Sequence, residues 1–206
     1  MELNEKQIQI LKVAEKLFAE NGFDGTSVRN IAKEAGVNLA MISYYFGSKE
    51  KLLSTLLLYR MADFKIQINT VLSEDRGFIE KAEAIVGLAI KRIHRNRRMY
   101  KIVHFEYSNL SRNVNFNQYV EKKKENFKVI EVFIKEGQEA GVFSKNVNIP
   151  LMFSTITGTY FNFYYNKRFF QDMHNLQGEA SIDDYIFNIL TPHVQRTIKA
   201  LLTYEE

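Results

Sequence analysis

The chain has no cysteine, no tryptophan and only two prolines, Pro150 and Pro192, in 206 residues. Without cysteine it holds no disulfide, no thiolate zinc site and no cysteine nucleophile, a composition that fits a reducing cytoplasm. The N-terminus MELNEKQIQILKVAEKLF lacks the basic start, apolar block and small-residue cleavage site of a secretory signal. Export is not expected. The longest charge-free stretch, Asn146 to Asn166, carries Asn148, Pro150, Ser154, Thr155, Thr157, Thr159 and Asn162, too polar for a bilayer span, so no membrane partner is expected and the stretch reads as a buried helix. A strong charge of one sign is also missing. The net charge is +4 and the isoelectric point about 9.1. Residues 1–54 hold seven basic and seven acidic residues, so the basic excess lies wholly in residues 55–206. Bulk charge permits an anionic partner without locating its site.

What the chain does have is helical periodicity. Apolar residues recur three and four apart with no sustained alternation, which predicts an all-α fold of about nine helices. Ile10, Leu11, Ala14, Leu17 and Phe18 form a first stripe that stops at Asn21-Gly22. Thr26 or Ser27 can cap a second, two-turn helix carrying Val28, Ile31, Ala32 and Ala35 to Gly36. Asn38 can cap a third short helix through Tyr45, and Ser48 a fourth with Leu52, Leu53, Leu56 and Leu57, running unbroken to Leu72. Further helices are expected near 78–95, 97–110, 112–140, 150–168 and 182–203, with a capping box at Ser181 and Asp184 and a kink at Pro192. The expected domains are 1–47, three helices, and 48–206, all helical, joined by the helix 48–72.

The second and third helices, joined by Ala35-Gly36-Val37, have the spacing of a helix-turn-helix. Small Ala32 lets the two helices cross closely, and Ile42 fills the space between them. The outer face of the third helix, Leu39, Ala40, Ser43 and Tyr44, is then free to enter a major groove.

The stretch FAENGFDGTSVRNIAKEAGVNLAMISYYFGSKEKLL resembles the tetracycline-repressor (TetR) family almost position by position over residues 8–57. The likeness includes Gly22-Phe23, Thr26, Ile31-Ala32, Gly36-Val37, Tyr45-Phe46 and Ser48-Lys49-Glu50, with Gly137 and Gly141 in support. The resemblance implies a bacterial, homodimeric transcriptional repressor: an N-terminal helix-turn-helix DNA-binding domain, and a C-terminal helical domain that binds a small molecule and dimerises. Its partners would be a double-stranded, palindromic operator and an apolar or aromatic ligand that releases it. No cofactor and no metal are implied.

Residue by residue, the resemblance gives Thr26, Ser27, Tyr44 and Lys49 phosphate contacts, and each carries a suitable donor. Arg29 would reach DNA from the first helix of the motif, and Asn38 lies at the head of the second. Leu39, Ala40, Met41 and Ser43 fall where base edges are touched; being mostly apolar, they would read thymine methyl groups and groove shape. Met41 is equally suited to the core. Tyr45 is open between core packing and a phosphate contact, and Phe46 reads as packing.

For the ligand, the region from 78 to 168 supplies His94, Tyr100, His104, Phe105, Tyr107, Phe127 and Tyr160, aromatics with few polar handles. Any one of them reads equally as core. The helix from 150 has apolar surface on most sides, which makes Phe153, Ile156, Phe163 and Tyr164 candidates for a dimer interface. Between Glu83 and Glu106 there is no acid while Lys91, Arg92, Arg95, Arg97, Arg98 and Lys101 crowd together, a basic cluster suited to DNA steering, an anionic ligand or internal pairing. An enzyme finds little support: no glycine-rich phosphate loop, no nucleophile elbow, and no histidine preceded three residues earlier by glutamate. A ligand-independent architectural DNA-binding protein would share the N-terminal features.

Overall fold

The computed structural model describes residues 3–108 and 116–204; its regular elements are helices, with no strand among the described residues. The helices are α1 Glu5–Asn21, α2 Val28–Ala35, α3 Leu39–Phe46, α4 Lys49–Met61, α5 Phe64–Ser73, α6 Phe78–Arg95, α7 Arg97–Ser108, α8 Asn117–Glu139, α9 Ile149–Tyr165, α10 Lys167–His174, α11 Gly178–Tyr185 and α12 Thr191–Thr203. A π-helical turn, Ile186–Leu190, joins the last two.

Two compact units result, and the chain alternates between them: residues 1–63 with 96–125, and residues 64–95 with 126–206. The change of unit after Asp63 coincides with a break between α4 and α5, where one helix over 48–72 was expected. Aspartate is a poor interior helix residue and a good one just ahead of a helix, which places the break at Ala62-Asp63.

In the first unit α1 to α4 close on one apolar core. Ile10, Leu11, Ala14 and Phe18 of α1 meet Ile31, Ala32 and Ala35 of α2, Ile42 and Phe46 of α3, and Leu52, Leu53, Leu56 and Leu57 of α4. Each fully buried leucine, isoleucine or phenylalanine among them contributes about 1.5–3 kcal/mol of transfer free energy. The core also takes residues from far along the chain: Met99 and Ile102 of α7 and Tyr119 of α8 are buried in it. Lys101 of α7 donates from Nζ to the Ala19 carbonyl at 2.7 Å, satisfying one of the carbonyls that the last turn of α1 leaves open. Buried Glu15 is paired with Arg60, fixing α1 to α4.

In the second unit α6 lies chiefly on α12, with α9 against both. Ile85, Val86, Ala89, Ile90 and Ile93 of α6 and Val194, Ile198 and Leu202 of α12 supply the core. Gln195 Nε2 donates to the Glu83 carbonyl at 2.9 Å across this pair. Gly137 is required where it stands, because a Cβ there would lie 2.1 Å from Phe143 Cδ2. That close approach lets Phe143 join Phe78 and Phe133 in a mutual aromatic cluster with centroids 5.7 Å apart.

The C-terminal helices depart from expectation in three ways. Ser181 does not cap a helix: α11 starts at Gly178, and the Ser181 hydroxyl donates to the Gln177 carbonyl at 2.7 Å from inside the first turn. At Pro192, where a kink is expected, a π-helical turn precedes the proline. Proline lacks an N–H and its ring crowds the carbonyl four residues back, here that of Asn188. The chain accommodates this with the π turn before it, where the Thr191 N–H bonds back five residues to Ile186. Finally, Asn166 ends α9 and the separate helix α10 follows, where a helix to 168 followed by a loop was expected.

Candidate nucleic-acid interface

Side-chain caps define the two short helices of the first unit. Ser27 caps α2 by accepting from the Asn30 N–H at 3.1 Å, and Asn38 caps α3 by accepting from the Ala40 N–H at 3.0 Å. Between them Gly36 is left-handed (φ 61°, ψ 36°), a conformation that costs a residue with a Cβ, and the Val37 N–H closes the turn on the Ala32 carbonyl at 3.0 Å. Gln9 of α1 donates to the Ala35 carbonyl at 2.8 Å, and Lys16 is 2.7 Å from Glu34. That carboxylate raises the Lys16 ammonium above its ordinary value. Both bonds set α2 against α1 from outside the core.

With Ile42 and Phe46 buried, the opposite side of α3 faces solvent: Leu39, Ala40, Ser43 and Tyr44 are all exposed, Tyr44 to 85%. Ser27, Arg29 and Asn38 are exposed beside them. Met41 is half-buried. Tyr45 is half-buried against the core, and its ring meets that of Tyr44 edge-on with centroids 5.3 Å apart.

Two of the expected phosphate contacts sit differently. Thr26 is 1% exposed, and its hydroxyl donates to the Leu17 and Gly22 carbonyls at 3.0 and 2.8 Å. It pins the α1–α2 loop, and no exposed hydroxyl is left to meet a phosphate. Lys49 Nζ donates to the Phe23 and Thr26 carbonyls at 2.9 and 3.0 Å and lies 4.2 Å from the centre of the Phe23 ring. An ammonium has three N–H groups, so one remains for an anion. At the same helix start, hydrogen bonds from its own backbone N–H and from Ser48 hold the Glu50 carboxyl below its ordinary value.

Two eight-residue helices crossed through a left-handed glycine, with the outer face of the second fully presented, define a helix-turn-helix DNA-binding protein. Residues 10–56 match the family model described as bacterial regulatory proteins, tetR family. That segment is a tetR-family DNA-binding domain. The chain is 22% identical over 158 residues to the HTH-type transcriptional repressor KstR2 of Mycobacterium tuberculosis, covering 77% of this chain and 79% of the relative. It is 26% identical over 156 residues to the fatty acid metabolism regulator protein of Bacillus subtilis, covering 75% and 79%. Among solved structures, the transcriptional regulator FadR from Bacillus subtilis, in complex with stearoyl-CoA, superimposes with a TM-score of 0.73 over 97% of this chain and 99% of that one at 22% identity, a likeness of fold.

The ligand candidates are divided between the two units. His94 and Tyr160 meet in the second unit, where His94 Nδ1 is 2.8 Å from Tyr160 Oη and Nε2 is 3.0 Å from Asp183. Phe127, in that unit too, packs on Phe153. Tyr100, His104 and Phe105 belong to the first unit, and the Tyr107 side chain lies outside the described residues. The second unit does contain a cavity of about 670 Å³, between α9, α10, the π turn and α12, and the sequence candidates miss it. Its polar lining is Thr159, Asn162, His193 and Arg196 against Phe163, Phe170 and Tyr185. A second space of about 20 Å³ among α6, α8, α9 and α12 is wholly apolar, lined by Ile85, Ile130, Phe133, Met152, Ile156 and others.

The dimer candidates divide. Ile156 and Phe163 are 4% and 2% exposed, and Phe163 stacks on Tyr185 with centroids 5.1 Å apart, so their surface is taken up within one chain. Phe153 and Tyr164 are half-buried. The basic cluster is also divided. Lys91 and Arg95 are exposed and Arg92 is buried over the Phe64 ring in the second unit, while Arg97, Arg98 and Lys101 belong to the first.

One residue escaped sequence reasoning. Asn126 of α8 is 3% exposed, and neither its Oδ1 nor its Nδ2 has a hydrogen-bond partner among the described residues. It stands one helical turn before Ile130 and two before Phe133, an amide on an apolar stripe, and that pattern was visible in the sequence. Among the described residues, no group of three His, Asp or Glu could hold a metal, and no helix is long and apolar enough to cross a membrane.

Proposed function

We propose that the protein is a dimeric cytoplasmic repressor that lays α3 into the major groove of a palindromic operator and is released by an apolar small molecule. The first unit, built around residues 1–47, reads DNA; the remainder binds ligand and dimerises. The observation that carries the reading is the α3 face: Leu39, Ala40, Ser43 and Tyr44 lie in solvent on a helix whose other side is locked into the core. Arg29, Ser27 and the remaining N–H of Lys49 supply backbone contacts that set the register. Two-fold DNA needs a second copy, and the exposed apolar residues Leu151, Ile189 and Leu201 on α9, the π turn and α12 give that copy a surface to cover. The name of the Bacillus subtilis relative and the stearoyl-CoA complex of its structural counterpart make a long-chain acyl-CoA the first ligand to try.

Chromatin immunoprecipitation followed by footprinting is the direct test. The expected sites are inverted repeats with half-site centres about 34–36 Å apart, or a multiple of that spacing. Stearoyl-CoA should weaken the purified complex about 5–150-fold while free CoA leaves it unchanged. Occupancy without any preferred sequence would replace this reading by the architectural one.

A further inference from the structure

Helix α3 reads Leu-Ala-Met-Ile-Ser-Tyr-Tyr-Phe and contains no arginine, lysine, asparagine, glutamine, aspartate or glutamate. Those are the side chains that identify bases by paired hydrogen bonds in the major groove: arginine or lysine on guanine, asparagine or glutamine on adenine, carboxylates on cytosine. What α3 offers instead is aliphatic. Leu39, its first residue, is 38% exposed although nothing polar requires it there, and the Ala40 methyl is exposed next to it. In a helix-turn-helix the N-terminal residues of the second helix are the ones that touch base edges. The one apolar group a base pair presents in that groove is a methyl at pyrimidine C5.

We propose that α3 reads pyrimidine C5 methyl groups through Leu39 and Ala40, accepting thymine or 5-methylcytosine and discriminating against uracil and unmethylated cytosine. This rests on the DNA-binding reading above and deepens it. The local geometry favours a fixed apolar contact. The Asn38 side-chain carbonyl is held by the Ala40 N–H at 3.0 Å, which orders the first turn and presents both methyl-bearing side chains from a rigid start. Ser43 and Tyr44 are the other exposed groups, and Tyr44 is steadied against the Tyr45 ring. Their hydroxyls donate or accept as needed, so they tolerate several base or phosphate partners. The methyl contacts therefore carry most of the discrimination made by this helix, with Arg29 as the one guanidinium of the motif. Occupancy would also respond to 5-methylation of cytosine at the positions under Leu39 and Ala40.

Selection of duplexes from a random library by the full-length protein supplies the probe. The best duplex is then remade with uracil for each half-site thymine, with cytosine, and with 5-methylcytosine. Removing one buried methyl should weaken binding roughly fourfold, and 5-methylcytosine should bind tighter than cytosine by a similar factor. Leu39→Ala, at an exposed position, should keep its thermal midpoint while the thymine-to-uracil ratio falls towards one. Equal affinity for thymine and uracil duplexes, or a Leu39→Ala protein that keeps the full ratio, overturns this inference and leaves DNA binding intact. If no duplex is enriched at all, the DNA-binding reading falls and the inference falls with it.

Discussion

The two units are built from the same element and both bury hydrogen-bonded polar side chains, yet the second also buries an amide with no partner among the described residues. In the first, buried Thr26 donates to two carbonyls and buried Glu15 is paired with Arg60. In the second, Asn126 is buried with neither side-chain atom hydrogen-bonded among the described residues, and a cavity of about 670 Å³ remains open. A fully satisfied network fixes one arrangement, as a groove-reading helix needs. An unpaired buried amide costs stability, and voids leave helices room to repack.

The strongest blow to the contrast would come from the α3 face. Ala40→Glu places an anion in the groove, where a like-charge contact costs several kcal/mol. Operator affinity measured by fluorescence anisotropy should fall more than about 100-fold with the fold intact; retained affinity would mean that α3 is not the reading helix. Next comes the buried pair. Glu15→Ala removes the buried carboxylate that faces Arg60, and chemical denaturation should show a loss of roughly 3 kcal/mol, the low end for a broken buried pair because Arg60 keeps some solvent.

A matched pair of substitutions then sharpens the comparison. Thr26→Val removes the single hydroxyl proton shared by the Leu17 and Gly22 carbonyls and should cost about 1–3 kcal/mol, whereas Asn126→Leu removes an unpaired amide and should leave the thermal midpoint level or higher. Equal losses at both sites would erase the distinction between the units. The smallest effect lies at the start of α4. Glu50 is more acidic folded than unfolded, so its contribution is present above the ordinary carboxyl value of 4.5 and is lost as pH falls through the lowered one. Glu50→Gln should flatten the acid limb of a stability profile by a few tenths of a kcal/mol.

Legibility followed the same division. In the first unit the caps, the turn glycine and the apolar stripes are local, within four residues of one another, so α1 to α3 and their solvent face could be read directly from the sequence. What could not be read was long-range. Thr26 offers the same hydroxyl to a carbonyl as to a phosphate, and only the positions of Leu17 and Gly22 decide which it meets. Lys49 is similar, its ammonium drawn to carbonyls that stand 26 and 23 residues earlier. In the second unit aromatic residues at helical spacing gave no sign of which faced a cavity, because Phe163 and Phe170 line one while Tyr160 is sealed beside His94. The break at Asp63 and the π turn before Pro192 are local responses of the backbone to an aspartate and a proline, and apolar periodicity does not distinguish them from a continuous helix.

The order of the chain also bears on when the protein can act during its own synthesis. Met99, Ile102 and Tyr119 form part of the core that supports α3. A ribosome adding about 5–20 residues per second delivers them well after the helix-turn-helix itself has emerged. A nascent chain that ends at residue 63 therefore has the residues of α3 but not the wall behind them. For the same reason, a truncated product of 63 residues should be a poor competitor for the intact regulator.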